Sequence, residues 1–187
     1  MAKKYDSGSS LQEKVLRGVD ILADNVASTL GPRGRNVILH RKGSNPIITK
    51  DGVTIAKFVD LEDPFENAGA QIIKQAASRT AEECGDGTTT SIVLTHAVLR
   101  EAQKYIVAGS SPVEIKRGMD KAVKAIVGQL EELSKPISSV DDIEHIATIS
   151  ANGDKTIGKL IASAVDAAGK DGSITIDEAR SVETSLD

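Results

Sequence analysis

Four stretches of this chain repeat their apolar residues at steps of three or four, with helix-end signals around them. That combination leaves room for little besides a bundle of helices. Ser10-Leu11-Gln12-Glu13 matches a capping box. Leu11, Val15, Val19, Leu22 and Val26 follow at helical spacing to about Thr29, where Gly31 and Pro32 stop the run. Asp63-Pro64-Phe65-Glu66 offers Asp as N-cap, Pro at the first helical position and Glu at the third. The helix it opens is expected to reach Cys84, with Phe65, Ala68, Ile72, Ile73, Ala76 and Ala77 on one face. A third helix, from about Thr88 to Val107, is expected to turn Ile92, Val93, Ala97, Val98 and Ala102 inward. Ser111-Pro112-Val113-Glu114 opens a fourth, to about Leu133, with Met119, Val123, Ile126, Val127, Leu130 and Leu133 apolar.

Shorter elements fill the rest. Residues 36–39 and 46–49 are β-prone, and the polar residues 41–45 between them predict a hairpin with a longer loop. Asp51 can cap a short helix through Phe58. Lys135-Pro136 breaks the chain, and a domain boundary is expected there. Helices over about 141–150 and 154–168 follow, then a glycine turn and a strand over residues 173–176. The predicted fold class is mainly α with a small β-hairpin. Aromatic residues make up only 2% of the chain and Trp is absent, so the core must be aliphatic.

Composition also excludes functions. A net charge of −4 argues against a general nucleic-acid binder. A single cysteine rules out an internal disulfide framework and suits a reducing compartment. No apolar run approaches the roughly 20 residues that span a membrane. The N-terminus lacks both a signal core and an Arg-rich transit character, so a cytoplasmic location without membrane partners is expected.

One segment points at chemistry. Cys84-Gly85-Asp86-Gly87-Thr88-Thr89-Thr90-Ser91 lies between two long helices. Glycines let backbone N–H groups approach a ligand, and a helix N-terminus favours anions. Threonine hydroxyls bond phosphate oxygens, and one aspartate can hold Mg²⁺. The segment reads as a phosphate and metal cradle. It is neither a Walker A loop nor a dinucleotide fingerprint, lacking a Gly-Lys-Ser/Thr and a preceding strand. Thr29-Leu30-Gly31-Pro32-Arg33-Gly34-Arg35-Asn36 and Thr49-Lys50-Asp51-Gly52 are further glycine loops; each alone is better explained as a helix stop or a turn. Together the three supply what a nucleotide needs: backbone donors, a cation in Lys50 and carboxylates in Asp51 and Asp86. Cys84 is expected to be a small buried residue. His40, His96 and His145 show no metal-ligand spacing.

These three loops, with Thr148-Ile149-Ser150-Ala151-Asn152, stand in the order found in group I chaperonins, the GroEL type, which the chain resembles over almost its whole length. Leu61-Glu62-Asp63 with Phe65-Glu66-Asn67, and Lys116-Arg117-Gly118 with Asp120-Lys121-Ala122, are similar to that family too. The resemblance implies that residues 1–134 are the first part of the helical equatorial domain, which binds ATP and makes most ring contacts. Residues 135–187 would be the first segment of the α/β intermediate domain. It implies an ATP site of Thr29, Leu30, Gly31, Pro32, Lys50, Asp86, Gly87, Thr88, Thr89 and Thr90, with Asp86 on Mg²⁺ and Asp51 assisting hydrolysis. Thr29, Lys50 and Thr89 would lie near a K⁺. The hairpin would pair with a neighbouring subunit's termini.

The resemblance further implies a homo-oligomeric ring of seven subunits, often doubled, that folds client proteins with a co-chaperonin. A complete chaperonin has about two-thirds of its length beyond the position of Asp187. The apical domain that binds clients and co-chaperonin, a catalytic aspartate and much of the adenine pocket lie there, so these 187 residues alone are expected to bind ATP weakly and to be inactive. Two other readings stand beside this one. They are a short non-catalytic paralogue that co-assembles with intact rings, and a stand-alone phosphotransferase.

Overall fold

The computed structural model describes residues 4–169 and 172–176. The chain divides into two compact units, Met1–Lys121 and Ala122–Asp187.

The first unit is built on a helix pair. Helix α1, Gly8–Ala27, crosses α3, Pro64–Cys84, at two glycines. A Cβ on Gly18 would overlap the Glu66 carbonyl, and one on Gly69 would overlap the Val15 carbonyl, so the two backbones meet directly. This crossing also decides which side of α3 is buried. Gly69, Ala70, Ile73 and Ala77 face inward, while Ala68 and Ile72 are exposed. The expected face is therefore rotated, because periodicity counts apolar side chains and passes over a glycine that packs with its backbone.

The capping box expected at Ser10 does not form. The helix has already begun at Gly8, and Asp6 draws the local donors instead. Its Oδ2 accepts from the Ser10 hydroxyl at 3.3 Å and pairs with Lys14 Nζ at 2.6 Å.

Strands β1, Val37–Leu39, and β2, Ile47–Thr49, form the expected antiparallel hairpin, with Val37 opposite Thr49 and Leu39 opposite Ile47. Leu39 is buried; Ile38, Ile47 and Ile48 are exposed. Helix α2, Gly52–Phe58, follows at once. The Asp63 carboxylate caps α3 as expected, accepting from the Phe65 and Glu66 N–H groups at 2.8 and 3.2 Å. Helix α4, Thr88–Val107, buries Thr88 and Ile92. Ala97 and Val98, expected inward, are exposed, because the stripe facing α1 continues through His96 and Arg100.

The core gathers Val19, Leu22 and Val26 of α1, Leu39 of β1, Ile55 of α2, Ile73 of α3 and Ile92 of α4. It is aliphatic throughout. By anchoring the short α2 through Ile55, it fixes the start of that helix against α4.

Helix α5, Pro112–Leu133, buries none of its residues. Its apolar stripe, including Val123, Ile126 and Leu130, is exposed. In the second unit α6, Val140–Ser150, packs on α7, Lys155–Ala168. A complete capping box of Ser139 and Asp142 opens α6, and Asp154 caps α7. Residues 173–176, expected as a strand, have no strand pairing. A strand needs a partner for its backbone groups, and among the described residues only β1 and β2 pair.

Candidate phosphate and metal site

The turn between α3 and α4 is shaped by two glycines in the left-handed region. Gly85, at φ +75°, ends α3 with its N–H on the Ala81 carbonyl. Gly87, at φ +84°, starts α4. Asp86 lies between them, exposed, with Oδ1 accepting from Gly87 N–H at 2.6 Å. Carboxylates cap α2, α3 and α7 and a hydroxyl caps α6, whereas the N-cap of α4 is Gly87, which has no side chain to offer. Its first-turn N–H groups belong to Thr88, Thr89 and Thr90, and such groups with the helix dipole favour an anion.

The second loop meets the first. Asp51 is the N-cap of α2: Oδ1 accepts from Val53 N–H at 3.4 Å, while Oδ2 accepts from Thr54 N–H at 2.7 Å and the Thr54 hydroxyl at 2.5 Å. The Thr88 hydroxyl donates across to Asp51 Oδ1 at 3.4 Å. Gly52 lies flush on Thr89: a Cβ there would be 2.6 Å from Thr89 Oγ1 and 2.9 Å from Thr89 N. Sequence reasoning counted Gly52 as part of a turn and missed its part in the site. The signal was its place directly after the capping aspartate, where any side chain would face the neighbouring loop.

Burial pushes the Asp51 carboxyl up, but the bonds from Thr54, Val53 and Thr88 outweigh it and hold it below the ordinary aspartate value. Asp51 is thus a carboxylate at neutral pH, suited to orienting a polar group more than to taking a proton. A depressed native value stabilises the fold above the unfolded value of about 3.9, and that contribution is lost as pH falls through the native one. The Asp51 side-chain carbon resonance should therefore titrate with a midpoint below that of an unstructured aspartate, with the α2 amide signals shifting alongside. A midpoint at or above that value contradicts the cap geometry.

The third loop is held by its own bonds. Thr29 is buried, and its hydroxyl donates to the Val26 carbonyl at 2.7 Å. Gly31, at φ +78°, accepts from Gly34 N–H at 2.9 Å, and Arg35 N–H reaches the Ser28 carbonyl at 2.9 Å. Leu30 is half-exposed. Lys50 is exposed beside Asp51. Contact between the Asp51 loop and the start of α4 thus runs from Asp51-Gly52 to Thr88-Thr89. Cys84, expected buried, is exposed. It is the last residue of α3, where the left-handed Gly85 ends the helix.

Among the described residues no three His, Cys, Asp or Glu side chains gather as a metal centre. A lone carboxylate at a phosphate cradle still suits Mg²⁺, which commonly takes one or two carboxylates and completes its shell with phosphate oxygens and water.

Residues 22–185 match the model of the TCP-1/cpn60 chaperonin family. The chain belongs to that family. Two solved chaperonins show the same fold. A group III chaperonin in the open state is 27% identical, with a TM-score of 0.71 over 84% of this chain. The chaperonin gp146 from the bacteriophage EL 2 (Pseudomonas aeruginosa), in presence of ATP-BeFx, is 31% identical, with a TM-score of 0.72 over 84% of this chain. The matches cover 31% and 28% of those proteins, so this chaperonin chain spans less than a third of their length. The mainly helical fold with its small hairpin is that of part of a chaperonin equatorial domain.

Proposed function

We propose that the protein is a subunit of an ATP-driven, protein-folding chaperonin of the group I type, cytoplasmic, in which residues 1–134 open the equatorial domain and residues 135–187 the intermediate domain. The observation that carries this is the contact between Asp51-Gly52 and Thr88-Thr89 at the helix start that Gly87 opens. Two loops there bring threonine hydroxyls, backbone N–H groups and carboxylates to one place. The phage chaperonin of the same fold was solved with a nucleotide analogue.

In this reading Gly87, Thr88, Thr89 and Thr90 bind the phosphates, and Asp86 holds the Mg²⁺ that neutralises their charge. Thr29, Leu30, Gly31 and Pro32 bound the nucleotide, with Lys50 near the phosphates. Thr29, Lys50 and Thr89 would lie near a K⁺. Asp51, ionised and fixed by Thr54, orients the attacking water together with a carboxylate from another part of the subunit. The subunits would assemble as rings of seven, often doubled, with clients and co-chaperonin bound outside these residues.

Thermal melting of the purified complete subunit tests this. Millimolar ATP with Mg²⁺ should raise the midpoint, by mass action on the native state. ATP with a chelator should raise it less, and K⁺ should add to the Mg²⁺ effect. No shift with millimolar Mg·ATP would sink the reading.

A further inference from the structure

Three polar side chains outside the phosphate cradle connect the helices that carry two of its loops. Asp20 lies on α1, about two turns before the helix gives way to residues 29–32. His96 and Arg100 lie on α4, the first of them about two turns after Thr88. Asp20 Oδ1 is 2.9 Å from His96 Nε2, and Oδ2 accepts from Arg100 Nη2 at 2.6 Å. Each carboxylate oxygen thus has its own donor, one turn apart on the same helix face.

We infer that Asp20, His96 and Arg100 form a clamp that sets the register of α1 against α4, and so act as positioning residues for the nucleotide loops at 29–32 and 87–90. The inference rests on the nucleotide reading above. The core residues of the two helices, Val19, Leu22, Ala23 and Val26 on α1 and Ile92 on α4, are apolar, and apolar contact is non-directional. A carboxylate gripped at both oxygens is directional, since a shift of one helix along the other breaks both bonds. The cluster is only partly buried: 22% of the Asp20 side chain, 24% of His96 and 53% of Arg100 remain exposed. Exposed ion pairs add little to folding, so the clamp matters through geometry more than stability. Phosphate binding is sensitive to geometry, because the N–H and hydroxyl bonds that hold a phosphate weaken steeply when misaligned.

The test is a double-mutant cycle in the purified complete subunit with Asp20→Asn, Arg100→Gln and both together. It is read by Mg·ATP affinity, by melting midpoint without nucleotide, and by hydrogen exchange at residues 87–90 without nucleotide. Each single variant should weaken Mg·ATP binding by about tenfold, hardly move the nucleotide-free midpoint, and speed exchange at residues 87–90. The double variant should be no worse than either single one, since both break the same device. His96→Gln, which keeps a donor near the Nε2 position, should bind better than His96→Ala. Unchanged affinity and exchange overturn the clamp, as do additive losses or losses that track the melting midpoint. A wild-type protein that binds no Mg·ATP overturns the nucleotide reading and the clamp with it, whereas wild-type binding with indifferent variants overturns the clamp alone.

Discussion

In the complete subunit, Asp86→Ala should lower Mg²⁺-dependent ATP turnover on the order of a hundredfold or more, at least the loss seen when groups supporting a metal are removed. The nucleotide-free fold should be nearly untouched, because Asp86 is exposed in a turn that Gly85 and Gly87 already shape. Alanine removes both a carboxylate for the metal and an acceptor for Gly87 N–H at 2.6 Å. Asp86→Asn separates them. An asparagine oxygen can still accept from Gly87, but it carries no charge and is a poorer ligand for a hard cation. If the metal role is correct, Asn should be nearly as damaging as Ala, and raising Mg²⁺ should recover part of the loss. ATP binding measured in chelator should differ little among the three proteins. Wild-type turnover in the Asn variant would mean that Asp86 is only a turn residue and that the metal is held elsewhere.

The helix starts were legible because capping is local. Asp51, Asp63 and Asp154 each bond N–H groups two and three residues ahead, so a few residues of sequence contain the whole argument. Ser10 failed for an equally local reason, a competing carboxylate four residues earlier. Helix faces were less legible. Gly18 and Gly69 bury backbone against backbone, and no scale of apolar side chains registers that. His96 lies 76 residues from Asp20, a separation at which spacing says nothing about pairing. The stripe on α5 was legible as apolar, and the described residues leave it exposed: periodicity shows that a face is apolar and does not show what covers it. The same limit applied to residues 173–176, where β-prone composition could not supply a partner strand. At the site, residue types identified the loops, and the fold added the contact between Asp51-Gly52 and Thr88-Thr89.

That contact is also where a single methyl group should do the most harm. In Gly52→Ala the new Cβ would lie 2.6 Å from Thr89 Oγ1, 2.9 Å from Thr89 N and 3.0 Å from Thr89 Cα. The hydroxyl could rotate away, but the two backbone atoms could not, so α2 must draw back from α4. The Thr88–Asp51 bond, already 3.4 Å long, would then be lost. Ile55 and Ala56, buried on the same short helix, would lose part of their packing. Overpacking of this kind costs about 1–3 kcal/mol, which chemical denaturation would read directly. The effect on Mg·ATP affinity should be larger than the stability loss alone explains, on the order of a hundredfold, because the two halves of the cradle move apart. Gly118→Ala is the control. It lies on α5 with open space where its Cβ would be, so it should leave affinity unchanged and, as a helix-interior Gly→Ala change, stabilise slightly. A Gly52→Ala protein with the stability and affinity of the wild type would show that α2 and α4 are looser at this point than their contact implies. Asp51 would then have to act on the nucleotide without being held by the phosphate loop.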